Sequence, residues 1–158
     1  MTDLEIRGAL SDVQVLALTC FAEARGDAKE GSSSVEERIA VGCVCRNRLR
    51  RPDRWGHSYR EVCLAPKQFS CWNAGTDPNH VALMAVAYRM ATGQPTMDPL
   101  LDETLFLADG IMRGVLLDRV NGAVSYYAPA AMKPPGRVPA AAVGKKTLPV
   151  GNQLFYDA

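Results

Sequence analysis

One acidic residue of the 158-residue chain, Glu23, lies where a carboxyl group is well suited to proton transfer. It follows an apolar stripe with helical spacing, which includes Leu16 and Cys20, so its side chain projects from the edge of the predicted buried face. It also falls in the last turn of that helix, where the negative end of the helix dipole disfavours a carboxylate anion. Both effects favour the protonated form that a general acid needs near neutral pH. A structural ion pair with a basic side chain from another segment would fit the same position equally well.

The two histidines do not form a recognisable metal site. His57 and His80 lie far apart in the sequence, whereas zinc amidases hold their metal with a cluster of histidine and carboxylate ligands. We therefore expect neither a metal nor another cofactor, and we place both histidines at the surface. A cysteine peptidase would have to pair one of them with Cys63 or Cys71, and no local signature supports such a pair.

The five cysteines are an odd number, which fits poorly with a fully paired disulfide framework. Cys20 and Cys43 fall on predicted apolar faces and are expected to be small core residues. Cys63 and Cys71 flank a loop and could form a disulfide in an oxidising compartment. The sequence leaves that pairing open.

Five short motifs follow one another along the chain. They are residues 23–26 (Glu-Ala-Arg-Gly), 40–48 (Ala-Val-Gly-Cys-Val-Cys-Arg-Asn-Arg), 68–72 (Gln-Phe-Ser-Cys-Trp), 122–129 (Gly-Ala-Val-Ser-Tyr-Tyr-Ala-Pro) and 151–156 (Gly-Asn-Gln-Leu-Phe-Tyr). In this order they resemble the cell wall hydrolase family typified by the spore cortex-lytic enzyme, over nearly the whole chain. Two positions depart from the family pattern. Ser125 stands where the family often has histidine, and Cys71 is inserted between the serine and the tryptophan of the third motif.

The resemblance implies cleavage of the peptidoglycan glycan strand between N-acetylmuramic acid and N-acetylglucosamine, with Glu23 as general acid/base. Lytic transglycosylation, which we favour, needs only this one carboxyl group, because the sugar's own 6-hydroxyl attacks and no water has to be held. A muramidase needs a second carboxylate across the bond, for which Asp27, Glu30 and Asp118 are the candidates. Two further functions stay open: an amidase that releases stem peptides, and a non-enzymatic glycan-binding module that would not need Glu23.

Aromatic and amide side chains suit sugar binding, because flat apolar faces stack on pyranose rings while amides and hydroxyls form hydrogen bonds with the sugar. The candidates for substrate binding are Gln68, Ser70, Trp72, Ser125, Tyr126, Tyr127 and Asn152. Phe69, Phe155 and Tyr156 fit the core better. Asn47 is predicted to lie on a packed helix face, where it must be hydrogen bonded, and to act as a scaffold near the Glu23 segment.

Helical periodicity and capping signals place these residues on a mainly helical framework. The predicted helices cover residues 12–24, 35–50, 77–92 and 102–113, the last of them interrupted by Gly110, and the strand-like segments are residues 124–127 and 153–156. Ser11 with Gln14, and Ser34 with Glu37, have the spacing of capping boxes. Residues 51–77 are predicted to be irregular. Residues 1–158 are expected to form one α+β domain, lysozyme-like and mainly helical, with a small C-terminal antiparallel sheet.

Composition excludes several classes of protein. The formal net charge of +1 argues against a nucleic-acid binder that relies on a basic field. No apolar run approaches the ~18 residues of a membrane span, and no basic segment followed by an apolar one opens the chain, so we expect neither membrane insertion nor a signal peptide. The expected partner is the peptidoglycan glycan strand, bound by a monomer. Such a protein, made in the cytoplasm, would act on the cell wall or periplasm as a phage or prophage endolysin or a virion-associated lysin.

Overall fold

The computed structural model describes residues 1–24 and 35–158. Its helices are α1 (Asp3–Ala9), α2 (Asp12–Glu23), α3 (Val35–Leu49), α4 (Pro52–Trp55), α5 (Tyr59–Leu64), α6 (His80–Ala91) and α7 (Pro99–Met112). Its strands are β1 (Ser125–Tyr127), β2 (Thr147–Val150) and β3 (Gln153–Tyr156), and 3-10 turns occur at Ser70–Trp72, Pro129–Ala131 and Ala140–Ala142. None of the described helices is long and apolar enough to cross a membrane. Because the helices precede a small antiparallel sheet, the predicted α+β class is confirmed.

Helix α2 packs against α3, α5 and α7, and Glu23 is its last residue. The predicted capping box starts this helix. The Ser11 hydroxyl accepts from the backbone N–H of Gln14 at 3.3 Å, and the Gln14 side chain accepts from the N–H of Ser11 at 2.9 Å. Residues 15–20 are all buried, which leaves no solvent-facing side in the middle of the helix. The Glu23 carboxyl group is therefore attached to a part of the chain that packing holds in place.

Helix α3 approaches its neighbours closely through small residues, as the sequence suggested. Gly42 lies against Cys20 of α2 and Ile111 of α7, and a Cβ atom at this position would overlap the Ile111 side chain. The helix is described from Val35 and ends at Leu49, within one residue of its predicted end. The predicted capping box of Ser34 and Glu37 is not tested, because Ser34 lies outside the described residues.

The prediction that residues 51–77 are irregular is wrong for two short helices. α4 begins with Pro52, whose fixed φ and missing N–H suit the first helical position. Gly56, with a φ of 135°, follows its last residue, Trp55. α5 is capped by Ser58, whose hydroxyl accepts from the N–H of Glu61 at 3.1 Å. Proline and glycine thus mark helix ends in this segment rather than a continuous loop.

Helices α6 and α7 begin at other residues than predicted. α6 begins at His80, because the carboxylate of Asp77 accepts from the N–H of Asn79 at 2.8 Å in a turn that precedes the helix. α7 begins at Pro99, where Asp98 caps it, three residues before its predicted start. The predicted interruption of α7 by a glycine does not occur. Helix α1, which no pattern above indicates, has only seven residues and offers little periodicity.

The three strands form an antiparallel sheet in the order β1-β3-β2. Tyr126 of β1 lies opposite Phe155 of β3, and their ring centroids are 5.3 Å apart. β2 was not predicted, since a proline interrupts its pattern, and it forms an edge of the sheet, where proline is tolerated. Side chains alternate along a strand, so Tyr126 packs on the core with Phe155 while Ser125 and Tyr127 point to the opposite face.

Candidate active site

The carboxylate of Glu23 is held from two sides at the end of α2. The phenol of Tyr126 donates to Oε2 at 2.9 Å, and the backbone N–H of Cys71 donates to Oε1 at 3.2 Å. The main-chain carbonyl of Glu23 accepts from Nε2 of Gln153 at 3.3 Å. Glu23 itself is only partly buried, so its position is fixed while part of the residue stays accessible. The first 3-10 turn, β1 and β3 thus converge on the predicted catalytic residue.

Tyr126 donates to Glu23 from a ring packed between two phenylalanines. Its ring centroid lies 6.5 Å from that of Phe69 and 5.3 Å from that of Phe155. Burial of the phenol raises the pKa of Tyr126 well above its ordinary value of 10.0, and the negative charge of Glu23 raises it further. The phenol therefore keeps its proton and acts as a donor to the carboxylate.

The end of helix α3 holds the residues that lead into β1. The side-chain amide of Asn47 donates to the carbonyl of Ala123 at 3.0 Å, and Nε of Arg48 donates to the carbonyl of Val124 at 2.8 Å. Both side chains are buried, so their donors need these partners. Asn47 is thus a buried and hydrogen-bonded scaffold residue, as predicted, and Arg48 shares that role. Together they fix the start of the strand that carries Tyr126.

Arg48 also places Gln68, one of the predicted substrate-binding residues. Its guanidinium lies 4.1 Å from the ring centroid of Trp55 and 4.9 Å from that of Phe69. Nη1 of Arg48 donates to the side-chain carbonyl of Gln68 at 3.4 Å, and Gln68 is exposed. Burial lowers the pKa of Arg48, but a guanidinium keeps its charge in proteins. The amide nitrogen of Gln68 consequently remains available at the surface beside this cation.

His80 fixes the turn that supplies the second donor to Glu23. Its Nδ1 donates to the carbonyl of Cys71 at 2.9 Å, and its Nε2 lies 3.0 Å from Oδ2 of Asp3. The prediction that His80 lies at the surface is wrong, because these two acceptors hold it in a buried position. His57 is exposed, as predicted. Within residues 1–24 and 35–158, no group of three or more histidine, cysteine or acidic side chains is placed to hold a metal ion.

Trp72 lies in the core rather than along an open cleft. Only 2% of the residue is exposed, and its indole N–H donates to the hydroxyl of Thr19 at 2.9 Å. The guanidinium of Arg7 covers the ring at 5.6 Å from its centroid and donates to the main-chain carbonyl of Trp72. A sugar ring has no free face of this indole to stack on, so the placement argues against the predicted binding role.

The other predicted binding residues lie on the first 3-10 turn, on β1 and in the turn between β2 and β3. The hydroxyl of Ser70 donates to Oδ2 of Asp77 at 3.0 Å. Ser125 and Tyr127 are half-buried on the opposite face of β1 from Tyr126, where the Tyr127 ring packs against Tyr156 at 6.2 Å. Asn152 is exposed in the turn between β2 and β3. Of the seven candidates, Tyr126 alone shares a hydrogen bond with Glu23 through its side chain in the part of the chain that the structure describes.

Sequence reasoning missed two side chains that build the site. Arg48 follows Asn47, which the sequence predicts to be a scaffold residue, in the Asn-Arg pair near the end of α3. Its position next to Asn47 is the signal that points to a similar role. Gln153 opens the strand-like segment of the last motif, where an amide among apolar residues signals a buried hydrogen bond. The N–H of Cys71 could not have been identified, because a backbone donor has no signature in the sequence.

The second carboxylates considered for a muramidase fall into two groups. Asp118 is described, and its carboxylate caps a turn: Oδ1 accepts from the N–H of Val120 at 3.0 Å, and Oδ2 from that of Gly122 at 2.6 Å. Both of its oxygens are thus occupied by the backbone. Asp27 and Glu30 lie outside the described residues.

The cysteine thiols are all free and buried. Cys63 contacts Cys45, with 3.7 Å between their sulfur atoms, rather than Cys71. Burial, and next the charge of Glu23, raise the pKa of the Cys71 thiol far above its ordinary value. A thiol with so high a pKa does not form the thiolate that a cysteine nucleophile requires. His80 moreover faces the carbonyl of Cys71, which argues further against a cysteine peptidase.

The family model described as Cell Wall Hydrolase matches residues 32–156 of the chain. The match contains the Asn-Arg end of α3, the Ser70–Trp72 turn and the sheet, and it begins after Glu23. No curated protein and no solved structure gave a match. The matched residues make up well over half of the chain. This chain belongs to the cell wall hydrolase family, and its activity is the degradation of peptidoglycan.

Proposed function

We propose that this peptidoglycan-degrading enzyme is a lytic transglycosylase that cleaves between N-acetylmuramic acid and N-acetylglucosamine, with Glu23 as its general acid and then its general base. The observation that carries the proposal is the setting of the Glu23 carboxylate. Each oxygen accepts one hydrogen bond from the described residues, from Tyr126 and from the N–H of Cys71. A carboxylate oxygen can accept about two, so capacity remains for the hydroxyl groups of a substrate.

The chemistry can be completed by this one carboxyl group. Protonated Glu23 gives its proton to the glycosidic oxygen as the bond between that oxygen and C1 of N-acetylmuramic acid breaks. The carboxylate then takes the proton of the 6-hydroxyl, whose oxygen bonds to C1 and closes a 1,6-anhydro ring. Glu23 ends protonated, and no water is consumed. Tyr126 and the N–H of Cys71 suit this cycle, because both donate to the anion that exists halfway through it.

An intramolecular attack explains why one carboxyl group is enough. The 6-hydroxyl belongs to the same sugar as C1, so holding the nucleophile in place costs little entropy. A muramidase would need a second carboxylate to position water or to attack C1. Asp118 serves the fold instead: Oδ1 accepts from the N–H of Val120, and Oδ2 accepts from the N–H of Gly122 and from the side-chain amide of Asn47 at 3.3 Å.

One observation favours the muramidase as a second candidate. Asp77 lies beside the turn that binds Glu23, because it contacts Ser70 at the start of that turn. Its carboxylate accepts from Ser70 at 3.0 Å and from the N–H of Asn79 at 2.8 Å. If Ser70 released it, Asp77 could position a water on the Glu23 side of the turn.

Digestion of purified sacculi in heavy-oxygen water tests both candidates. The products are reduced at once with borohydride, so that new reducing ends keep their isotope, and are then measured by mass spectrometry. We expect unlabelled 1,6-anhydro ends from the parent chain and from Asp77→Asn, and no products from Glu23→Gln. Labelled reducing ends that disappear in Asp77→Asn would establish the muramidase. Free stem peptides with intact glycan strands would establish an amidase and overturn both.

A further inference from the structure

The C-terminal part of the chain has a charge pattern of its own. Between residues 119 and 156 lie five of the 18 lysine and arginine residues and none of the 17 aspartate and glutamate residues. The remaining residues therefore contain more acids than bases, although the formal net charge of the whole chain is only +1. A small net charge thus conceals two regions of opposite sign, and the positive one contains β1 and the sheet.

Most of these cations lie in the connection between β1 and β2, residues 128–146. The connection is compact: the N–H of Gly136, for example, donates to the carbonyl of Pro129 at 2.9 Å. It passes from one end of the sheet to the other, because β1 and β2 both run antiparallel to β3 on its two sides. Its first residue follows Tyr127, so it leaves the sheet beside Tyr126, the donor to Glu23.

Three of the cations are exposed and unneutralised. Lys133, Arg137 and Lys145 make no side-chain hydrogen bond or ion pair with any described residue. Lys146 differs from them, because it lines a cavity of about 240 Å³ together with Asp157. We refer to Lys133, Arg137 and Lys145 as the cationic surface.

We propose that the cationic surface binds the carboxylates of the peptidoglycan stem peptides while the glycan strand lies at Glu23. The proposal rests on the proposed function, since it assumes that muramic acid occupies the site. Stem peptides are attached to the lactyl group of muramic acid and carry free carboxylates. An ammonium or guanidinium group that lacks a protein partner is suited to bind them by charge-assisted hydrogen bonds.

The position of the surface favours stem-peptide carboxylates over other wall anions. Lys133 follows Tyr126 by seven positions in the chain, so their Cα atoms can be no more than about 25 Å apart. The stem peptide is attached to muramic acid, so every muramic acid that reaches Glu23 also brings its peptide to within about 25 Å of Tyr126. The phosphates of accessory wall polymers are not tied to the cleaved bond in this way. The net negative charge of the remaining residues would also repel an acidic substrate from other faces of the protein.

The expected contribution is moderate and sensitive to salt. Exposed ion pairs are individually weak, and three of them together would strengthen binding about tenfold. Because the pairs are exposed, salt screens them over about 10 Å at 0.1 M. We therefore expect the contribution of the cationic surface to fall as salt is added, whereas the contacts between the glycan and the site around Glu23 should depend on salt much less.

Co-sedimentation with sacculi tests this proposal without cleavage. All proteins carry Glu23→Gln, and their thermal unfolding is compared first. The surface variant adds Lys133→Gln, Arg137→Gln and Lys145→Gln. The control adds Arg50→Gln, Arg89→Gln and Arg113→Gln, which remove the same charge from the end of α3, from α6 and from the end of α7. Each protein is titrated with three preparations: sacculi stripped of phosphate polymers, the same sacculi with their carboxyls amidated, and sacculi that retain the phosphate polymers.

We expect the surface variant to bind stripped sacculi about tenfold more weakly at low salt, with no difference on amidated sacculi and less than a twofold change for the control. Equal losses in both variants would show an effect of net charge alone and overturn the proposal. A loss that persists on amidated sacculi, or one confined to sacculi that retain phosphates, would also overturn it. The chain with Glu23 intact is assayed separately for glycan products, so a failure of the proposed function is distinguished from a failure of this inference.

Discussion

The site around Glu23 and the connection between β1 and β2 are built in opposite ways. The site joins four distant parts of the chain through Glu23, Cys71, Tyr126 and Gln153, whose hydrogen bonds span 2.9–3.3 Å. The connection is one continuous segment, and its cations project into solvent. Proton transfer requires a fixed carboxyl group, whereas attraction of a flexible acidic peptide requires only charge within reach. Rigidity is thus concentrated where the proposed chemistry needs it.

The largest effect should come from Glu23→Gln, which keeps the shape of the side chain and removes its proton transfer. We expect the rate of glycan cleavage to fall by about 10²–10⁴-fold, while the free energy of unfolding changes by no more than about 1–2 kcal/mol. Turbidity of sacculi and chemical denaturation measure the two quantities. Glu36→Gln, which alters an exposed ion pair with Arg119, is the matched control. If Glu23→Gln keeps a tenth or more of the parent rate, Glu23 is not the general acid.

Trp72 tests the buried side of the turn that supplies the Cys71 donor. Trp72→Ala should lower the free energy of unfolding by about 3–5 kcal/mol, because it leaves a large cavity in the core. Thr19→Val removes only the acceptor of the indole N–H and should cost about 1–3 kcal/mol. Both are measured by denaturant unfolding. A Trp72→Ala variant of unchanged stability that no longer binds glycan fragments would restore the role predicted from the sequence.

Helix α2 and its terminal glutamate could be predicted because local signals determine them. Ser11 and Gln14 form their capping box within one turn, and the apolar stripe continues to the last turn. The strand motif with Tyr126 was also identified, because the family resemblance pointed to it. The partner of Tyr126 could not be deduced, since the hydrogen bond to Glu23 joins residues 103 positions apart.

Burial sets the positions of Trp72 and His80, which differ from those that the sequence suggested. An aromatic residue in a loop motif suits sugar stacking and core packing equally, and the distant Thr19 decides for Trp72. The distance of His80 from the other histidine in the sequence favours a surface position, but its two ring nitrogens contact the carbonyl of Cys71 and the carboxylate of Asp3. Pairing of this kind depends on tertiary structure, which a residue type and its neighbours do not determine.

Tyr126→Phe should have a smaller effect than the loss of Glu23. The variant keeps the ring packed against Phe155 but removes the donor to the carboxylate. We expect kcat to fall about tenfold with KM nearly unchanged, since a hydrogen bond to a charged group contributes about 1.5–3 kcal/mol. Tyr127→Phe, which lies on the other face of β1, is the control. An increase in KM at constant kcat would instead identify Tyr126 as a sugar-binding residue.

The smallest effect concerns alkaline pH and two of the five tyrosines. Burial raises the pKa of Tyr59 to about 12, and burial with the Glu23 charge raises the pKa of Tyr126 well above 10.0. Because both folded pKa values exceed the unfolded value, the stability that the neutral phenols contribute is fully present below pH ~10. Above that pH, it falls by up to about 1.4 kcal/mol per pH unit for each tyrosine, until the folded pKa is reached.

Tyr59→Phe and Tyr126→Phe should therefore flatten the loss of unfolding free energy between pH ~10 and ~11. Tyr88→Phe, at an exposed position, is the control. The ultraviolet absorbance of tyrosinate checks the same point directly, because these two phenols should ionise at pH ~11 only after denaturation. If all five phenols of the native protein titrate together near pH ~10, the inference that the Tyr126 phenol is enclosed beside Glu23 is refuted.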